Sequence, residues 1–406
     1  MAAVMDVHLA DPELFINETI LDEFARLRRE DPVHLCEESP YGPYWSLTRY
    51  ADIKAVDQDH QRFSSDAHRG GIVIDDGIFK DEQAEFFLQN FISMDPPQHG
   101  PQRKAVTPIV APASLMNFKQ LITSRTRTLL DNLPVGETFD WVPTVSIELT
   151  TQMLATLFDF PFEERHRLTR WSDVAAAEGD SPLVGSQEQR IKELTECLET
   201  FTALKQQRKE GPASFDLLTM LARDSATADQ PAHEFLGNLL LLIVGGNDTT
   251  RNSMSGSVNA FHQFPQQLDR IKSNPGLLPN AVAEIIRWQT PLSHMRRTAV
   301  EDVQIGGKTI RSGDKVVMWY YSGNRDEDVF SRADLLDVER ANARHHLSFG
   351  FGIHRCLGMR LAELQLRILW EEILERWQRI EIVGPVERVP SNFINGYTTM
   401  PVRIVA

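Results

Sequence analysis

The chain has 406 residues, with 42 Lys and Arg against 57 Asp and Glu, a formal charge of −15. Its 42% apolar and 24% charged residues supply ample core for a soluble globular protein and exclude disorder over most of its length. So acidic a balance also argues against a nucleic-acid binder, which needs a basic face to neutralise phosphates.

Residues 1–8 lack the basic and apolar stretches of a signal peptide. Helical periodicity begins at 21–30, and residues 39–56 read as a turn followed by a short strand around 44–48. Helical patterns resume at 114–133, 147–158, 163–177 and 186–209, and the longest runs over 232–264, about 48 Å at the helical rise. Its apolar run 239–244 is far below the ~20 residues of a membrane span, so no membrane anchor is expected. A β-rich region follows at 303–321, with a hairpin turning at Gly306-Gly307. Another helix covers 357–378, and residues 393–405, alternating around Asn395-Gly396, read as a further hairpin. With no internal repeat or flexible linker, a single domain over 1–406 is expected, mainly α with a minor β portion. Three dispersed cysteines, Cys36, Cys197 and Cys356, fit neither a disulfide framework nor a zinc site, which places the chain in a reducing cytoplasm.

The long helix has an unusual middle. Leu242, Gly245, Gly246, Thr249, Ser253 and Gly256 share one face by helical spacing. Each internal glycine costs about 1 kcal/mol relative to alanine, and Thr249 can bond back to the Gly245 carbonyl and open the ladder. Two readings fit. The small face can pack closely against another helix, which the segment alone favours, or a flat ligand can lie against it, with Asp248 and Thr249 alongside.

Cys356 sits in a loop with glycines at 350, 352 and 358. Such a loop folds tightly enough to aim backbone N–H groups at the sulfur. Those donors, His354, Arg355 and the start of the following helix favour a thiolate, the form that binds a metal. The pattern Phe349-Gly-Phe-Gly-Ile-His-Arg-Cys-Leu-Gly358 resembles the haem-binding loop of the cytochrome P450 superfamily. Three more segments resemble family motifs in the family's order. Gly245-Gly-Asn-Asp-Thr249 is similar to the oxygen-activating turn of the central helix. Glu284-Ile-Ile-Arg287 is similar to the Glu-x-x-Arg helix, with Arg340 as its third member. Met94-Asp-Pro-Pro-Gln-His-Gly-Pro-Gln-Arg103 is similar to the segment entering a helix that contacts a haem propionate. The likeness runs from about Asp11 to the last residue.

The resemblance implies the cytochrome P450 fold and haem b (iron protoporphyrin IX) held by the Cys356 thiolate, with Phe349, Gly350 and Gly245 against it. It implies that His99, Arg103, Arg297 and His354 meet the propionates, and that Glu284, Arg287 and Arg340 are structural. Asp248 and Thr249 would deliver protons, and thiolate ligation would favour O–O cleavage. A peroxide-driven enzyme would not need that acid–alcohol pair. Electrons would come from a small [2Fe-2S] ferredoxin and its NAD(P)H-dependent flavoprotein reductase, steered by Arg103, Lys104, Arg344, Arg355 and Arg360. Residues 239–253 are similar to the bacterial branch that hydroxylates linear alkanes and related medium-chain aliphatics at the terminal carbon. Leu242, Gly245, Gly246, Leu292 and Met295 would line the substrate site, with Phe86, Phe87, Leu88 and Phe91 as an apolar lid, or these residues could equally be core. A terpene or fatty-acid hydroxylase is the alternative, and a haem-based ligand sensor the non-enzymatic one. His345 and His346 are expected to be structural, Cys36 and Cys197 inert.

Overall fold

The computed structural model describes residues 8–76, 88–177 and 184–406. Its helices are Pro12–Ile16 (α1), Ile20–Glu30 (α2), Tyr50–Gln58 (α3), His99–Val106 (α4), Pro112–Asp131 (α5), Glu148–Phe158 (α6), His166–Ala176 (α7), Gln187–Glu210 (α8), Leu217–Arg223 (α9), Ala232–Gln263 (α10), Pro265–Ser273 (α11), Leu278–Gln289 (α12), Tyr320–Gly323 (α13) and Met359–Arg376 (α14). The strands are Val33–Cys36 (β1), Tyr44–Leu47 (β2), Phe63–Ser64 (β3), Thr138–Asp140 (β4), Met295–Ala299 (β5), Val303–Ile305 (β6), Lys308–Ile310 (β7), Lys315–Met318 (β8), Arg379–Ile382 (β9), Glu387–Arg388 (β10), Tyr397–Thr399 (β11) and Pro401–Val405 (β12). The helical majority and minor β portion match the sequence reading.

Local chemistry explains several boundaries. Ser186 caps α8 by accepting the Gln189 amide, and Asp216 caps α9 through the Thr219 amide at 2.7 Å, each satisfying a donor the helix itself leaves unpaired. Pro231 stands immediately before α10, where its missing N–H costs nothing.

The largest sheet has the order β1-β2-β8-β5-β3. The Gly306-Gly307 hairpin forms as expected, with Val303 opposite Ile310 and Ile305 opposite Lys308. The short strand expected around 44–48 is β2, and residues 50–58 after it are helical. One expectation needs correction. The C-terminal residues are not a hairpin closing at Asn395-Gly396: β11 pairs with β10, while β12 lies between β4 and β9. Alternation identifies strands but leaves their partners open.

Helix α10 crosses the molecule and joins its two largest cores. Phe235, Leu236, Leu239, Leu240 and Ile243 pack in one cluster with residues of α6 to α9. Met254, Val258 and Phe261 pack in another with residues of α12, α14 and β12. Residues 244–253 belong to neither cluster, and there the helix borders a cleft. Among the described residues no helix is long and apolar enough to cross a membrane.

Candidate active site

Within α10 the exposed positions define a stripe. Gly245 is exposed and Leu241, Leu242, Gly246 and Thr249 are half-buried, while Ile243, Asn247, Asp248 and Thr250 are buried. A side chain added at Gly245 would meet nothing within 4 Å. At Gly246 it would come within 2.9 Å of Leu154 Cδ2, and at Gly256 within 2.1 Å of Gln289 Oε1. The small-residue face is therefore divided. Its C-terminal part serves close packing, and its middle opens on the cleft. Thr249 Oγ1 donates to the Gly245 carbonyl at 3.0 Å, as the spacing predicts, yet the helix stays continuous from Ala232 to Gln263.

Asp248 and Thr249 project about 100° apart on the helix, and their surroundings differ accordingly. Asp248 is 1% exposed and accepts from Ser172 Oγ on α7 at 3.0 Å and from Asn247 Nδ2 at 3.1 Å. Arg251 lies 3.1 Å from its carboxylate and 2.9 Å from that of Asp173 on α7. Burial pushes the Asp248 carboxyl up, and Arg251 opposes the shift. The sequence reading missed Arg251, Ser172 and Asp173. Only the i+3 spacing of Arg251 from Asp248 could have signalled any of them.

Cys356 lies deep in the protein and yet is solvent-accessible, as a residue facing an internal cleft must be. The Cys356 amide donates to the Phe349 carbonyl at 2.8 Å and closes the loop. Burial pushes the thiol up. The N–H groups of Gly358 and Met359, at the start of α14, and the charges of Arg103 and Arg355 act against that shift. Gly350 and Gly352 have φ of +63° and +67°, and a Cβ at Gly352 would fall 2.6 Å from the Asp57 carbonyl oxygen. Both positions thus require glycine.

Asp57, at the end of α3, was not singled out in the sequence. Its carboxylate accepts the Phe351 amide at 2.7 Å, the Tyr320 hydroxyl at 2.8 Å and Arg297 Nη2 at 2.7 Å. It therefore fastens the cysteine loop to α3 and holds a guanidinium expected to meet a propionate. His99 is likewise engaged: its ring nitrogens lie 2.7 Å from the Phe91 carbonyl and 3.1 Å from that of Ile353. His354 stacks edge-on against His99, with centroids 4.3 Å apart, and neither of its ring nitrogens has a partner among the described residues. Burial, then Arg297, His99 and Arg103, push His354 down to about 2. Arg103 donates to the Arg355 carbonyl.

These residues fit haem. An accessible sulfur is set among N–H donors, the exposed stripe of α10 carries no side chain at Gly245, and a buried imidazole with two unspent nitrogens stands among arginines. Cys356 would supply the sulfur ligand, and His354 with Arg103 would meet the carboxylates.

Glu284, Arg287 and Arg340 form a buried triad. Arg287 makes two 2.8 Å bonds to the Glu284 carboxylate, and Arg340 Nε a third at 2.9 Å. Arg287 also donates to the Asn324, Ala333 and Leu335 carbonyls. Ser348, just before the cysteine loop, donates to the Ile286 carbonyl on α12 at 2.9 Å. The triad thus anchors the chain leading into the loop.

Leu292 and Met295 are half-buried, and Leu292 bridges to Ile394. Phe86 and Phe87 lie outside the described residues. Leu88 is half-buried, and Phe91 is 4% exposed and packs in the core cluster with Met94, Leu239 and Leu240, the core position that is the alternative to a place in an apolar lid. His346 is buried, His345 exposed, and among the described residues no group of three or more His, Cys, Asp or Glu could hold a metal ion.

A family model described as cytochrome P450 matches residues 182–393. The chain is similar to linalool 8-monooxygenase from Pseudomonas putida, with 40% identity over 402 residues covering 98% of each chain. It is also similar to two solved structures. Cytochrome P450-153 from Novosphingobium aromaticivorans superposes with a TM-score of 0.91 at 44% identity, covering 98% of both chains. CYP153D17 from Sphingomonas sp. PAMC 26605 superposes with a TM-score of 0.92 at 45% identity, covering 99% of this chain and 100% of that one.

Proposed function

The chain belongs to the cytochrome P450 family, and from that membership we propose that it hydroxylates linear alkanes or related medium-chain aliphatics at the terminal carbon. One observation carries this reading: among residues 241–249 of α10 the accessible ones are Leu241, Leu242, Val244, Gly245, Gly246 and Thr249, with the Asp248 carboxylate turned away toward α7. An apolar chain without polar handles suits such a wall. No basic side chain on the stripe meets a carboxylate, which disfavours fatty acids. The likeness to linalool 8-monooxygenase favours a terpene as the second reading.

Haem with its cysteine thiolate supplies the dioxygen-cleaving chemistry of this monooxygenase family. The chain's own residues set where and how protons and substrate arrive. Thr249 keeps its hydroxyl on the cleft side, where it can pass or accept a proton. Asp248, held by Arg251, Ser172 and Asn247, is a reserve of proton-accepting charge one step behind it. Side-chain exposure rises outward, from 1% at Asp248 through 12% at Arg251 to 27% at Asp173, marking a polar route between cleft and solvent. An arginine does not give up its proton, so Arg251 positions Asp248 while Ser172 and water carry the transfer. Terminal attack needs the chain end nearest the iron, and wall shape rather than bond strength sets that preference.

Titrating the ferric protein with linear alkanes, fatty acids and a monoterpene in turn, while following the Soret band, tests the substrate class. Medium alkanes should give a low-to-high-spin shift and then a primary alcohol when electrons are supplied. A shift with the terpene or the acids alone would discard the alkane reading, and tight binding without any product would indicate a sensor.

Electrons are proposed to come, in the cytoplasm, from a [2Fe-2S] ferredoxin reduced by an NAD(P)H-dependent flavoprotein. Lys104, Arg344, Arg355 and Arg360 are exposed and Arg103 half-exposed, flanking the cysteine loop on an otherwise acidic chain. Reversing Arg344 and Arg360 to Glu should slow ferredoxin-supported turnover roughly tenfold at low ionic strength. Unchanged rates in both variants would remove the steering role.

A further inference from the structure

The Asp57 carboxylate, in the last turn of α3, draws together the cysteine loop, α13 and β5. Its Oδ2 accepts from the Phe351 amide at 2.7 Å and from the Tyr320 hydroxyl at 2.8 Å, and its Oδ1 accepts from Arg297 Nη2 at 2.7 Å. A Cβ at Gly350 would lie 3.1 Å from Asp57 Oδ2 and 3.2 Å from the Tyr320 oxygen, so the loop packs directly on this pair. Asp57, Tyr320 and Arg297 are each 3% exposed.

Every one of these contacts donates to Asp57. Burial, reinforced by Asp57, pushes the Tyr320 phenol far up, so it keeps its proton. Burial pushes the Asp57 carboxyl up as well, while Arg297, the Phe351 amide and the Tyr320 hydroxyl act against it. A neutral acceptor would serve the amide and the hydroxyl equally well. Only Arg297 calls for a charge, because a buried guanidinium is costly without one. Arg297 Nη1 donates to the Arg296 carbonyl at 2.7 Å, and its other N–H groups are unspent among the described residues. The guanidinium expected to meet a haem propionate therefore already has a protein carboxylate of its own. His354 beside it, pushed down to about 2, is neutral and leaves that balance to Asp57 and the arginines.

We propose that Asp57 is a positioning residue for haem reduction: it orients Arg297 toward a propionate, offsets the charge that guanidinium adds, and so lowers the reduction potential of the iron. Reduction from ferric to ferrous takes one electron from an external reductant. A fixed negative charge nearby opposes that gain, and an uncompensated positive one favours it. Buried charges such as these are little screened by salt. A purely structural tie between α3 and the loop would change stability and leave the potential where it is. The inference rests on the haem site, and on neither the substrate nor the electron donor proposed above.

The haem-loaded native protein and its Asp57→Asn variant are reduced anaerobically with dithionite beside a redox dye of known potential, and the Soret band reads the ferrous fraction. At the potential where the native protein is half reduced, Asp57→Asn should show a ferrous-to-ferric ratio about tenfold higher, equivalent to about 59 mV for one electron. Tyr320→Phe, which removes a donor but keeps the carboxylate and Arg297, should stay near the native ratio. Equal ratios in native and Asp57→Asn proteins, or a rise in Tyr320→Phe as large as in Asp57→Asn, would overturn the proposal. A native protein that takes up no haem would instead overturn the haem site itself, and this inference with it. If Asp57→Asn does not retain haem, Asp57→Glu decides: the restored carboxylate should recover the Soret band, and its failure to do so would leave Asp57 a packing residue.

Discussion

Replacing Glu284 with alanine should lower the stability of the fold by about 3–5 kcal/mol, the cost of leaving a buried charge without its partner. Two arginines are exposed to that loss. Arg287 and Arg340 both lean on the Glu284 carboxylate, and both are buried, Arg287 fully and Arg340 to within 6%. Their remaining bonds go to neutral carbonyls, which orient a guanidinium but do not balance its charge. The Asp337 amide also loses its acceptor. Glu284→Gln should cost nearly as much, because an amide turns a donor toward a guanidinium fork. Urea unfolding followed by far-UV circular dichroism reads the effect as a lower midpoint. The Soret band should weaken in parallel, since the triad anchors the chain leading to Cys356. A midpoint within the error of the native protein would show that the triad is not the anchor.

Thr249→Ala should separate chemistry from folding. Alanine is the better helix former by up to about 0.7 kcal/mol, and the lost bond is the one Thr249 makes within its own helix. Stability should therefore hold or rise slightly. Product formed per NAD(P)H should fall by a factor on the order of ten to a hundred, with hydrogen peroxide released instead, because the hydroxyl at the cleft no longer handles a proton. Quantifying product, peroxide and NAD(P)H in the same reaction checks this. Unchanged coupling would remove Thr249 from proton delivery and leave the bond to Gly245 as its whole role.

What could be read in the sequence was local or rhythmic. The 3.6-residue period gave α10 nearly to its ends, the i to i+4 spacing gave the Thr249–Gly245 bond, and the glycine pattern gave the tight cysteine loop. Grouping Glu284, Arg287 and Arg340 came from family likeness, because nothing in the chain between Arg287 and Arg340 marks them as neighbours. Asp57 was illegible for the same reason: its partners Arg297 and Phe351 lie 240 and 294 residues away. The C-terminal strands misled because period-two alternation states a conformation without naming the strand that pairs with it. Asp248 was recognised but its setting was not, since the clamp comes from Ser172 and Asp173 on a helix whose packing side only the fold decides.

The contrast between neighbouring positions 245 and 246 bears on how the substrate range can change over generations. A methyl group added at Gly246 presses on Leu154, so the fold itself screens substitutions there. At Gly245 it touches no protein atom, so a new side chain is felt only by whatever occupies the cleft. A methyl group at position 245 is therefore screened by the haem expected against it and by the guest molecule, and not by the packing of the scaffold.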